Sequence, residues 1–256
     1  MTTTAIGVDF GTTNSSIARV SEAGEIELAQ FPTAGSVTDA YRSLLYLEQH
    51  KERGLNSLKS WTGPEGIERY LAAETKGRLI QSLKSFLSSR NLQGTEIFGR
   101  RVTLEDLIAR ILRDLREKAE RQFGTAINSA VVGRPVRFVG AENEADNAFA
   151  EDRLRLAFQN AGFEFVEFEL EPVAAAHYYE STLDHDETHP DRGLWWRYQR
   201  FFAGPCRADG PATRTKTGRP SGKCRYRHCR RRIRFKDHPA ACVARAWRRD
   251  RHALRG

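Results

Sequence analysis

The run from Gly7 to Ser16 reads G-V-D-F-G-T-T-N-S-S, between a short apolar start (Ala5, Ile6) and a second apolar run (Ile17, Ala18, Val20). An aspartate at a strand end, a glycine at the turn and small hydroxyl residues entering the next strand describe a phosphate-binding β-hairpin. Gly11 has the conformational freedom to take a positive φ and lets the backbone approach an anion closely. The N–H groups and side chains of Thr12, Thr13 and Asn14 then face phosphate oxygens as donors. Asp9 is placed to hold Mg²⁺ through water, because Mg²⁺ gives up its hydration shell reluctantly. As a bare pattern, a Gly/Thr turn is also an ordinary hairpin signal.

The elements around this run are those of a mixed layer fold. Strands are expected at Ile6–Phe10, Ser15–Val20, Ile26–Phe31 and Ser43–Leu47, the first three separated by turn residues as in a β-meander. Helices are expected at Ile67–Glu74 and at Leu79–Leu87, the second with Leu79, Ile80, Leu83, Phe86 and Leu87 on one face. Thr103-Leu-Glu-Asp106 resembles a capping box with Asp in place of Glu. It opens a helix whose Leu104, Leu107, Ile108, Ile111, Leu112, Leu115, Ala119 and Phe123 make one apolar stripe ending at Gly124. A strand at Ala130–Val132, a helix over Asn143–Ala161 capped by Gly162, and a strand at Phe163–Leu170 follow. Pro172 opens a last helix from a position where its missing N–H costs nothing. Alternation of this kind indicates an α/β fold with a mixed sheet flanked by helices.

The hairpin run resembles the first phosphate motif of the actin-like ATPases, above all the DnaK-type heat-shock chaperones. The resemblance covers most of residues 4–182: F-G-R-R-V-T-L-E-D-L stands before the long helix, A-V-V-G-R-P-V after it, and A-G-F-E-F-V-E-F-E-L-E-P-V-A-A-A at the end. Gly133-Arg134-Pro135 departs from the family's T-V-P, and the acidic Val139–Asp146 segment is unlike the common form. The resemblance implies an actin-like (ribonuclease-H-like) first lobe over residues 1–188, with ATP and Mg²⁺ as cofactors. It further implies ATP/ADP as ligands, and unfolded polypeptides or co-chaperones as partners of an intact family member. It assigns Lys84, in S-L-K-S-F-L, as the catalytic lysine aimed at the γ-phosphate. Glu171 becomes the carboxylate that positions water and metal, suited to a helix start by the positive end of the dipole. Pro135 becomes the proline that couples nucleotide state to lobe movement. Without the family, Lys84 reads as a solvated helix lysine, Glu171 as an N-terminal helix charge and Pro135 as a strand terminator.

Composition divides the chain near Thr188. The whole carries a formal +8, but residues 1–188 hold 21 Lys+Arg against 29 Asp+Glu, while residues 189–256 hold 20 against 4. All four cysteines and three of four tryptophans lie after the division, where apolar periodicity stops. A GC-rich gene read out of frame explains this mixture. Dropping the first base of the His189 codon permits I-L-I-G-D-F-G-G-G-T-S-D-F-S across His189 to Phe202, which resembles the family's second phosphate motif. In the same frame, Arg230 to His238 permits G-D-A-F-D-S-R-I-I, resembling the motif that follows. The tail is therefore expected to be out-of-frame sequence, basic and disordered. Hydrolysis is expected to be lost, because half the preorganised site is not encoded in the frame as it stands.

The alternative function is nucleic-acid binding through the tail, where Arg230–Arg232 with Tyr226 and Phe235 offer phosphate neutralisation and stacking. The missing apolar periodicity argues against a nucleic-acid partner. Cys224, His228, Cys229, His238 and Cys242 have poor spacing for a zinc site, and His177 and His185 lack a partner spacing for a metal. No apolar stretch is long enough to span a membrane, and the N-terminus lacks the basic and apolar regions of a secretory signal. A cysteine-free body fits a cytoplasmic protein.

Overall fold

The computed structural model describes residues 5–21, 25–52, 55–74 and 77–175. Strand β1 (Ala5–Phe10) turns into β2 (Asn14–Val20), and β3 (Ile26–Leu28) continues the meander. Three short strands follow, β4 (Phe31–Thr33), β5 (Ser36–Thr38) and β6 (Tyr41–Arg42). A long hairpin of β7 (Leu44–Glu52) and β8 (Leu55–Thr62) runs into helix α1 (Gly63–Ala72), then β9 (Arg78–Gln81) and a 3₁₀ turn at Leu83–Phe86. A small hairpin, β10 (Gly94–Ile97) and β11 (Arg100–Thr103), feeds α2 (Leu104–Phe123). The order β12 (Ser129–Arg134), α3 (Glu144–Asn160), β13 (Phe165–Leu170) completes the described chain, with a helical turn at 171–175.

The principal sheet has the order β13-β12-β1-β2-β3, with β6 also on β2. β1, β12 and β13 are parallel, whereas β1, β2 and β3 are antiparallel, so the sheet is mixed as expected. β13 returns parallel to β12 through α3, the connection a βαβ unit requires. This mixed α/β architecture is compatible with an actin-like ATPase lobe. The disordered basic tail expected at 189–256, and everything assigned to its Cys, His and Arg residues, lies outside the described residues. So do His177 and His185.

α2 is positioned by its own stripe. Leu104, Leu107, Ile108, Ile111, Leu112, Leu115, Ala119 and Phe123 are all buried, in one core with Val8, Phe10 and Ile17 of the β1–β2 hairpin and Leu154 and Phe158 of α3. Thr103 accepts a hydrogen bond from the Asp106 N–H at 3.1 Å, and Gly124 closes the other end in the left-handed region at φ 64°. A cap of that kind stabilises a helix by about 1 kcal/mol. Asn143 plays the same part for α3, accepting from the Asp146 N–H at 2.9 Å.

Several expectations are corrected. Leu79–Leu87 is not a helix: Arg78–Gln81 pairs antiparallel with β7 (Leu47↔Arg78 to Leu44↔Gln81), and only Leu83–Phe86 turns, as 3₁₀. The offered β-edge of β7 outweighs a short apolar run, and Ser82 at φ 61° breaks the chain direction between them. The helix expected from Ile67 starts at Gly63, with Pro64 in its first turn. The strand expected over Ile26–Phe31 divides into β3 and β4, and that at Ser43–Leu47 extends to Glu52 and pairs with the unforeseen β8. The β10–β11 hairpin was also unforeseen.

Candidate functional site

Asp9 stands one residue before the end of β1, level with Ser16 on β2 and Gly133 on β12. The parallel β1, β12 and β13 deliver their carboxyl ends to the same side, where open α/β sheets bind ligands. Asp9 comes from the first of these ends, and Glu171 follows directly on the third.

The turn between β1 and β2 is held from behind. The Ser43 N–H donates to the Thr13 carbonyl at 2.9 Å, the Ser15 and Ser43 hydroxyls pair at 2.8 Å, and Arg42 donates to the Asn14 side-chain oxygen at 3.0 Å. Thr12 is half-buried, and Thr13 and Asn14 are exposed at the turn. Gly11 is needed here, for a different reason from the expected one: its φ is not positive, but a Cβ would fall 2.1 Å from the Asn14 carbonyl oxygen. Close approach of backbone, rather than a left-handed conformation, selects glycine.

Lys84 lies in the 3₁₀ turn at 9 % exposure, and its ammonium donates to Glu171 Oε1 at 3.1 Å. Its helical-face reading as a solvated lysine is thereby corrected: the side chain is buried and ion-paired. Burial pushes the Asp9 carboxyl up to about 6, opposed by the nearby Lys84 charge and assisted by the Glu171 charge. Three of the residues picked out from the sequence therefore influence one another electrostatically, an ammonium paired with Glu171 whose charge, like that of Glu171, is felt at Asp9. Pro135 follows the last residue of β12, where it ends the strand.

Ser16 escaped the sequence reading. Its hydroxyl is buried and has no hydrogen-bond partner among the described residues, although its backbone is level with Asp9. Strand alternation puts such cross-strand partners on one face. The donor set fits a phosphate and a hard cation. Two carboxylates and an unpaired buried hydroxyl are oxygen ligands of the kind Mg²⁺ takes alongside water and phosphate. The backbone cradle at Gly11, where a Cβ has no room, and the Lys84 ammonium fit the phosphate itself.

No protein-family model matches the chain. It is similar to the Chaperone protein HscA homolog of Rickettsia typhi (strain ATCC VR-144 / Wilmington), 29% identical over an alignment of 183 residues that covers 68% of this chain and 28% of the relative. The Chaperone protein HscA homolog of Rickettsia prowazekii (strain Madrid E) matches with the same identity and coverage. Both relatives are chaperone proteins by name, which runs in the same direction as the resemblance of the phosphate-turn motif. The chain spans little more than a quarter of the length of these curated relatives. Among the described residues, no helix is long and apolar enough to cross a membrane.

Proposed function

We propose that residues 1–188 are the first lobe of a DnaK-type chaperone ATPase, and that its site receives the phosphates and Mg²⁺ of ATP. Gly11, Thr12, Thr13 and Asn14 line the phosphate turn, and Asp9 holds Mg²⁺ through water. Lys84 faces the γ-phosphate, and Glu171 orients the attacking water and the metal. Phosphoryl transfer asks little covalent chemistry of a protein and much positioning and charge stabilisation, which is what this cluster offers. The observation that carries the reading is the Lys84–Glu171 contact at 3.1 Å, joining residues 87 apart in sequence beside Asp9.

In the same reading, residues 189–256 are out of frame, and the opposing phosphate loop is lost with them. The chain as written is therefore expected to turn over no ATP. Resequencing the coding DNA around codons 186–190 checks the frame. Calorimetric titration with Mg-ATP then compares the chain as written with the frame-restored chain. Binding only after restoration supports the reading. Full ATPase activity in the chain as written would mean that one lobe suffices and would end the half-site argument.

A further inference from the structure

We propose that Arg153, on α3, is the positioning residue for Lys84: its guanidinium clamps the 3₁₀ turn that presents the ammonium to the site. The proposal rests on the phosphate-site reading of Lys84 and adds a residue that the reading does not contain.

The turn needs an external clamp. It has four residues, begins at Ser82 in the left-handed region at φ 61°, and has no side-chain cap. A non-glycine residue in that region is strained, and 3₁₀ pieces this short have poor internal hydrogen bonding. At its ends the turn is closed by Ser85 N–H to the Ser82 carbonyl at 3.1 Å, Leu87 N–H to the Lys84 carbonyl at 3.3 Å and Ser89 N–H to the Phe86 carbonyl at 3.1 Å.

Arg153 supplies what is missing. It is 6 % exposed, and its Nη1 donates to the carbonyls of Leu87 at 3.3 Å and Ser89 at 3.0 Å and reaches that of Phe86 at 3.4 Å. Its Nη2 donates to the Leu92 carbonyl at 2.9 Å, and its Nε donates to the half-buried carboxylate of Glu105 on α2. Burying a guanidinium is unfavourable unless its donors are met, and here every nitrogen has an acceptor. Four of those acceptors are carbonyls of one segment, starting two residues after Lys84. The planar five-donor fork of arginine suits that task, and a lysine ammonium does not. Glu105 fixes the fork to α2, so the turn is tied to the two helices that form the core and not held by its own bonds alone.

The test is acetylation of lysine amines in the full chain, read residue by residue by mass spectrometry. In the unaltered chain, Lys84 reacts far more slowly than exposed Lys59. Arg153→Gln and Arg153→Lys each speed Lys84 modification about tenfold, as the loss of even one hydrogen bond to a charged group would. The rate at Lys118, held by Asp114 at 2.6 Å on α2, stays unchanged. A role confined to general stability would raise Lys84 and Lys118 together. Should both Arg153 variants unfold, Glu105→Gln decides, since it keeps the arginine and removes only its anchor. A selective rise at Lys84 supports the clamp; no rise, or a joint rise in this variant, overturns it. Lys84 as reactive as Lys59 in the unaltered chain would overturn both the clamp and the placement of Lys84. A selective Lys84 response together with no Mg-ATP binding by the frame-restored chain would instead retire the nucleotide reading alone.

Discussion

The Lys84 ammonium meets the Glu171 carboxylate at 3.1 Å, and the two differ in exposure, 9 % for the lysine against 40 % for the glutamate. The pair therefore has a buried end that faces Asp9 and an open end that faces solvent.

Removing that ammonium should be felt at Asp9. Burial already holds the Asp9 carboxyl at about 6, and the Lys84 charge opposes the rise. In Lys84→Met the opposing charge is gone, so Asp9 should titrate above 6. A pH titration of the Asp9 carboxyl resonance checks the direction. A midpoint that stays or falls would place Lys84 away from Asp9.

Asp9 should also lower the stability of the lobe at neutral pH. Its folded-state value of about 6 lies above the ordinary 3.8, so its contribution is fully present below pH 4 and is lost as pH rises through 6. Asp9→Asn escapes this loss. It should be more stable than the unaltered chain at pH 7 by up to about 3 kcal/mol, with the difference vanishing below pH 4. Urea unfolding at both pH values measures it.

Gly11→Ala should damage the phosphate turn without touching the core. The new Cβ would lie 2.1 Å from the Asn14 carbonyl oxygen, which is backbone and cannot swing away. A backbone shift of this kind costs about 1–3 kcal/mol. Chemical-shift changes should concentrate between Asp9 and Ser16 and at Ser43, which bonds Thr13. An unperturbed turn would mean that the close approach is not a constraint.

Thr103→Ala should cost about 1 kcal/mol by freeing the Asp106 N–H from its cap, with no effect on the titration of Asp9. The Asp106–Thr103 hydrogen bond at 3.1 Å is far from the site in function but holds the helix that anchors Glu105. A loss of well under half that size would show that the stripe alone fixes α2.

Legibility followed the range of the interactions. α2 could be read in full because its stripe, its cap and its terminal glycine are all local signals, and the structure buries every stripe residue. The Leu79–Leu87 segment misled because Leu79 and Ile80 satisfy a helical pattern equally well as a strand, and the edge of β7 that claims them is far away in sequence. For the site, Asp9 and the Thr12–Asn14 run carry their chemistry in contiguous sequence. Lys84 and Glu171 had no partner visible locally, and only the family resemblance singled them out. Ser16 and Arg153 were invisible for a third reason. Their importance lies in what surrounds them, an unmet hydroxyl in one case and four carbonyls in the other, and no residue type announces that.

The most direct measurement of the central claim is a phosphate-release assay beside calorimetry on the frame-restored chain and its Lys84→Ala variant. An ammonium that acts on the γ-phosphate in the transition state should cost turnover rather than affinity. The restored chain should hydrolyse Mg-ATP slowly, and Lys84→Ala should abolish turnover while Mg-ATP binding stays largely intact. Hydrolysis that survives in Lys84→Ala at the level of the restored chain would contradict a role for Lys84 at the γ-phosphate.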